Sequence, residues 1–200
     1  MMAFSNVFRI VSSAKSFFRV NIRSLKFRKK MMLEKNVFIG RNVLIDPGYN
    51  WLVSIGNNSV LSYGTIVLAH DGSLRNYTGY TRVGKVSIGS NTFIGAGSII
   101  MPGVIIGDNV IIGAGSVVTK NVPDNSVAVG NPAVVVGSIS KLINKHKNNM
   151  NECPVYEKMS EQTAEIMKGE LKTGCAYIRT NFDSDLISVQ DINEITDKPV

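Results

Sequence analysis

Histidine is the side chain best suited to exchange a proton near neutral pH, and this chain has two, His70 and His146. His70 follows Leu68-Ala69 where a regular apolar pattern gives way to a polar stretch. An imidazole there can face solvent or a neighbouring chain instead of an aliphatic interior. A positioned base of this kind contributes about 10²–10⁴-fold to a reaction that removes a proton. Its other ring nitrogen needs an orienting acceptor. Asp71 is adjacent in sequence, Asp46 could approach from another turn, and a backbone carbonyl would serve equally well. His146 lies on the basic segment 138–147 and reads as a surface residue. Cys153 and Cys175 are the only cysteines; they have no metal-ligand spacing and suit a reducing, cytoplasmic setting. No metal is expected.

The elements that position such residues announce themselves by period. An aliphatic residue recurs every six positions: Ile88, Ile94, Ile100, Ile106, Ile112 and Val118. Six fits neither a helix at 3.6 nor an alternating strand at 2. It fits short strands joined by sharp corners, with one aliphatic side chain per strand pointing inward. A longer period lies on top, since Ile94-Gly95-Ala96-Gly97-Ser98 returns eighteen residues later as Ile112-Gly113-Ala114-Gly115-Ser116. Three six-residue faces make one triangular turn of a parallel β-helix, and stacked turns bury a core that no single turn could.

Ser54-Ile55-Gly56-Asn57-Asn58 matches Ser87 to Asn91 at a distance of 33, which implies a loop of about fifteen residues extruded within 69–87. Asp46-Pro47-Gly48-Tyr49-Asn50 interrupts an irregular first turn. The sequence therefore divides into a helical arm over 1–36, the β-helix over 37–136 and a helical tail over 137–200, with helices expected at 138–147 and 161–173. The arm carries nine Lys/Arg against one Glu, whereas the remainder carries thirteen against fourteen acids. A near-neutral body argues against nucleic-acid binding as the main role. The arm has two readings: peripheral contact of residues 1–30 with an anionic membrane surface, or an aromatic-rich helix that docks on the end of the β-helix. No run of about 18 apolar residues suggests a membrane span, and no secretory signal is evident at the N-terminus.

The repeats, together with Val117-Val118-Thr119-Lys120-Asn121-Val122-Pro123 and Gly130-Asn131-Pro132-Ala133, resemble the hexapeptide-repeat acyltransferases. The nearest likeness is to the sugar and polysaccharide O-acetyltransferases of galactoside, maltose and colanic-acid or capsule type. The resemblance implies a left-handed β-helix, a homotrimer with active sites between subunits, and acetyl-coenzyme A as cosubstrate. It also implies His70 as catalytic base for a saccharide hydroxyl, with Asp71 as one candidate to orient it. Ala96 and Ala114, eighteen apart and flanked by glycine, would border the pantetheine arm. Thr119 and Lys120 would reach the nucleotide end, and Asn131-Pro132 would turn the chain beside the adenine. The basic residue that the resembled enzymes often place after that motif is replaced here by Val134-Val135-Val136.

On the loop, Arg75, Asn76, Tyr77, Tyr80 and Arg82 suit either saccharide binding or packing against the next subunit. Transfer to an amino sugar or other amine is an alternative, and so is a non-catalytic β-helix module. Some parallel β-helix proteins hydrate carbon dioxide on zinc. That chemistry needs about three ligating histidines, more than this chain holds.

Overall fold

The computed structural model describes residues 31–157, with 160, 162, 167, 177 and 178. Two compact units divide the chain at Gly137/Ser138. The first is a coil, mostly of two- and three-residue strands, in three sheets whose successive turns pair in parallel, the arrangement that the six-residue period predicts, and it fits a left-handed β-helix.

The first face stacks Met32–Leu33, Val53–Ile55, Val86–Ile88 and Ile105–Ile106. The second stacks Phe38–Ile39, Val60–Leu61, Phe93–Ile94, Ile111–Ile112 and Ser126–Gly130. The third stacks Leu44–Ile45, Ile66–Val67, Ile99–Ile100 and Val117–Val118. Inward-pointing Ile55, Leu61, Val67, Ile88, Ile94, Ile100, Ile106, Ile112 and Val118 form a continuous buried column, joined on the first face by Val53 and Val86. Each such side chain contributes about 1.5–3 kcal/mol relative to exposure. Buried hydroxyls beside the column are satisfied by carbonyls of the next turn: Ser59 donates to Gly89 O at 2.7 Å and Ser98 to Gly113 O at 3.0 Å.

Corners explain why each face is six residues long. At the first, Asn36, Asn58, Asn91, Asn109 and Asn125 all hold φ between 53° and 58°, the left-handed region that asparagine tolerates. Their side chains form a ladder, each amide donating to the next Oδ1 at 3.2–3.3 Å. At the second corner the same backbone state falls to Asn42, Gly64, Gly97 and Gly115.

The third corner is where the coil departs from eighteen. Register shifts of 22, 33, 18 and 16 residues relate successive turns. Every extra or missing residue falls between a third-face strand and the next first-face strand. The 22-residue turn adds four residues after Ile45, including a 3-10 turn at Asn50–Leu52. The 33-residue turn adds the fifteen expected in the loop. That segment is not without structure: His70–Asp71 pairs antiparallel with Arg82–Val83, and a short helix, Arg75–Thr78, closes on left-handed Gly79.

Two boundaries differ from the sequence reading. The coil begins at Met32, which pairs with Ser54, so residues 32–36 belong to the first turn and not to the arm. Two-residue strands carry too little alternation to mark such a start. Residues 1–30 lie outside the described residues. In the second unit the helix runs Ile139–Met150, longer than the expected 138–147, with Ser138 capping the N–H of Lys141. Val155–Tyr156 pairs in parallel with Tyr177–Ile178, and His146 Nδ1 lies 3.0 Å from the Tyr177 hydroxyl. Most of the expected helix at 161–173 lies outside the described residues. Among the described residues no helix is long and apolar enough to cross a membrane.

Candidate functional site

Both insertions leave the coil at the third corner on adjacent turns, and their first residues meet. Asp46 follows Ile45, whose partner in the sheet is Val67, and Asp46 N–H donates to Val67 O at 2.8 Å. His70 lies three residues beyond Val67, on the antiparallel pair that roots the loop. The Asp46 carboxylate is fully buried, and Oδ2 lies 2.5 Å from His70 Nδ1.

Asp46 is saturated with donors. Oδ1 accepts from the N–H groups of Gly48 and Tyr49 at 3.0 and 3.1 Å, and Oδ2 accepts from Ala69 N–H at 2.9 Å as well as from the imidazole. Burial by itself would push this carboxyl up. The His70 hydrogen bond, those from Ala69 and Gly48, and the attraction of the imidazole outweigh it and hold the group below the ordinary carboxylate value. An ionised carboxylate has no proton to give, so Nδ1 is the nitrogen that donates, and in the neutral ring Nε2 carries the lone pair. The His70 side chain is 38% exposed, in contrast to the buried carboxylate that holds it. The Tyr49 ring packs on the imidazole with centroids 4.9 Å apart, and Trp51 packs on Tyr49 at 5.5 Å. Asn50, between them in sequence, is buried, and its Oδ1 has no hydrogen-bond partner.

Asp71 does not orient His70. Its Oδ1 accepts from Ser73 N–H at 2.9 Å, and the carboxyl lies on the solvent side of the loop. The reason is strand geometry: His70 and Asp71 are consecutive in an extended pair, so their side chains leave on opposite faces. The Ser73 hydrogen bonds hold the Asp71 carboxyl below its ordinary range, with smaller help from Arg82 and His70.

The remaining residues distribute over the corners. Ala96 and Ala114 are exposed at the second corner on adjacent turns, where Gly115 N–H donates to Ala96 O and Gly97 N–H to Tyr63 O, both at 2.8 Å. The backbone of this corner is thus less free than its composition suggests. Asn131-Pro132 lies at the end of the same face. It is a two-residue turn with a cis peptide, and Ala133–Ser138 returns beside Ser126–Gly130 in the same sheet. So short a connection requires an antiparallel pair, and the chain doubles back there instead of departing. Thr119 and Lys120 are exposed at the third corner, two turns beyond His70. On the loop, Tyr77 and Tyr80 are 86% and 80% exposed, Arg75 is exposed, and Arg82 Nη2 donates to Pro102 O at 3.4 Å.

Tyr49, Asn50 and Trp51 were not singled out from the sequence. The usable signal was arithmetic: Phe38 to Val60 is 22 residues, four beyond a turn, and the surplus falls at the corner that also carries the loop.

The bacterial transferase hexapeptide (six repeats) matches residues 85–120, and the hexapeptide repeat of succinyl-transferase matches residues 32–69. Protein CapG of Staphylococcus aureus is 44% identical over 118 residues, covering 53% of this chain and 69% of CapG. YvoF of Bacillus subtilis (strain 168), an acetyltransferase by name, is 36% identical over 107 residues, covering 54% of this chain and 60% of YvoF. Among solved structures, a maltose O-acetyltransferase from Clostridium difficile 630 is 33% identical with a TM-score of 0.45, covering 60% of this chain and 76% of that one.

Proposed function

Because this chain belongs to the hexapeptide-repeat acetyltransferases, we propose that it moves an acetyl group from acetyl-coenzyme A to a hydroxyl of a sugar or polysaccharide precursor, with His70 as general base. The observation that carries this chemistry is the His70–Asp46 pair. Nε2 takes the hydroxyl proton as the oxygen attacks the thioester carbonyl. The carbonyl electron pair moves onto its oxygen, then returns as the carbon–sulfur bond breaks. The leaving thiolate recovers the proton from the imidazolium, giving the acetyl ester and free coenzyme A. Asp46 keeps Nδ1 protonated throughout and stabilises the imidazolium while it lasts. No covalent enzyme intermediate is needed, because the thioester is already activated.

The cosubstrate is assigned to the second and third corners. Ala96 and Ala114 present no side chain beyond Cβ, which lets an extended, amide-bearing pantetheine lie against the backbone. Thr119 and Lys120 are one face further on, and the lysine supplies a positive charge for the phosphates. Arg75, Tyr77, Tyr80 and Arg82 are assigned to the acceptor side, reaching from the loop.

We assign the chain to a homotrimer, a reading that the layout supports. The alanine corner and the His70 corner of one chain are separated by a face of six residues, at most about 20 Å. Juxtaposing the second corner of one chain with the third corner of another brings base and thioester together without bending the coil. The cytoplasmic side is the setting assigned to the reaction, because acetyl-coenzyme A is its assigned donor.

A thiol-release assay with acetyl-coenzyme A against a panel of sugars and sugar nucleotides tests the reading. His70→Ala should lower turnover about 10²–10⁴-fold while coenzyme A binding is retained. Equal rates in the two proteins would remove His70 from the mechanism.

A further inference from the structure

Trp51 is the only tryptophan in the chain, and it stands 44% exposed in a row of three rings. The row runs from the His70 imidazole through Tyr49 to the indole, with centroid separations of 4.9 and 5.5 Å. The four-residue insertion that opens the Asp46 corner also carries this indole. Asn50 is buried, Leu52 packs against the core, and Trp51 between them is turned outward. Leaving the largest apolar side chain this exposed forgoes part of the burial that would otherwise stabilise the fold. An insertion that anchors the base through Asp46 and exposes an indole beside it has the build of a platform.

We propose that Trp51 is the stacking platform for the acceptor, and that the acceptor it selects is a pyranose presenting an apolar face of axial C–H groups. This rests on the acetyl-transfer reading of the same site. The two ring separations place the indole no more than about 10 Å from the imidazole. A sugar stacked there, or the next sugar of an oligosaccharide, brings a hydroxyl to Nε2. The flat π-face meets C–H groups that carry a partial positive charge, while the rim of the sugar stays free to hydrogen-bond. Coenzyme A does not compete for this surface. Its thioester must reach the hydroxyl at the base, so its adenine lies a whole pantetheine arm away. Trp51 acts on binding and selection of the acceptor and takes no part in proton transfer.

The uniqueness of the indole makes the test direct, because intrinsic tryptophan fluorescence reports on Trp51 alone. Full-length protein is titrated with methyl pyranosides and short oligosaccharides, without acetyl-coenzyme A. A saturable change in emission with one class of saccharide is expected. In turnover with that saccharide, Trp51→Ala should raise the acceptor KM up to about tenfold, with kcat and the acetyl-coenzyme A KM unchanged, and Trp51→Phe should recover most of the loss. The size of Trp51→Ala in solution should match that of the unsubstituted protein. Acetylation of a saccharide with no change in emission and an unaltered acceptor KM in Trp51→Ala would overturn the platform while leaving the transferase reading intact. Emission that responds only to saccharides that are never acetylated, beside turnover of others, would also overturn the platform, whereas thiol release with none of the saccharides would remove the transferase reading. A smaller assembly in Trp51→Ala would assign the indole to subunit packing and overturn the proposal.

Discussion

The Asp46 side chain accepts four hydrogen bonds and offers none, so the site it occupies is built for a carboxylate alone. Asparagine would place an N–H₂ among N–H donors and leave at least one buried group unpaired, a cost of about 1–3 kcal/mol. Asp46→Asn should therefore lower both stability and kcat, the second by part of the roughly 10²–10⁴-fold that the base supplies. Asp46 is a positioning residue, and its role shows in the pH–rate profile: the acid limb should shift in Asp46→Asn, which a loss of packing alone would not cause. Linkage gives a separate expectation. The folded-state pKa of Asp46 is held below its ordinary value of 3.8, so its contribution to stability is complete above the unfolded value and is lost as pH falls through the folded one. Denaturant melts taken downward from pH 5 should show this loss in the unsubstituted protein and its absence in Asp46→Asn.

The Asn ladder and the inserted hairpin show two ways in which an element can be specified. At Asn91 a left-handed backbone and two ladder bonds coincide. Asn91→Gly keeps the backbone state and loses only the ladder, whereas Asn91→Ala also takes on the cost of a left-handed Cβ, about 1–2 kcal/mol. Chemical denaturation should thus rank the unsubstituted protein above Gly and Gly above Ala. Much of the coil was legible in the sequence, because a six-residue period can be satisfied only by turning the chain. Ile88, Ile94, Ile100, Ile106, Ile112 and Val118 are all buried, as that period requires. The 33-residue spacing likewise located the loop. The hairpin within it was not legible, since strands as short as His70–Asp71 and Arg82–Val83 leave no alternation to detect. Nor was the choice between Asp46 and Asp71, because spacing assigns a residue to a turn but not to the direction in which its side chain leaves.

Across the first unit, outward-facing residues sort by face. Phe38, Val60, Phe93 and Ile111 line the second, and Leu44, Ile66, Ile99 and Val117 the third. The first face interleaves Met32 and Ile105 with Ser54 and Ser87, whose hydroxyls bond at 3.2 Å. Two apolar faces and one mixed face suit the homotrimer proposed above, in which each copy offers one face to each neighbour. Phe93→Glu should reduce the sedimenting mass and abolish turnover together, while Ile105→Glu should change neither. The third corner has a consequence of a different kind. Because every surplus or deficit of residues enters there, the stack tolerates excursions of any length without a change of register elsewhere. A chimera that exchanges only residues 46–52 and 68–85 for the corresponding segments of a relative would keep its hydrophobic column and both regular edges. Acceptor preference would then travel with two short cassettes, and the coil would serve as an inert spindle on which they are swapped.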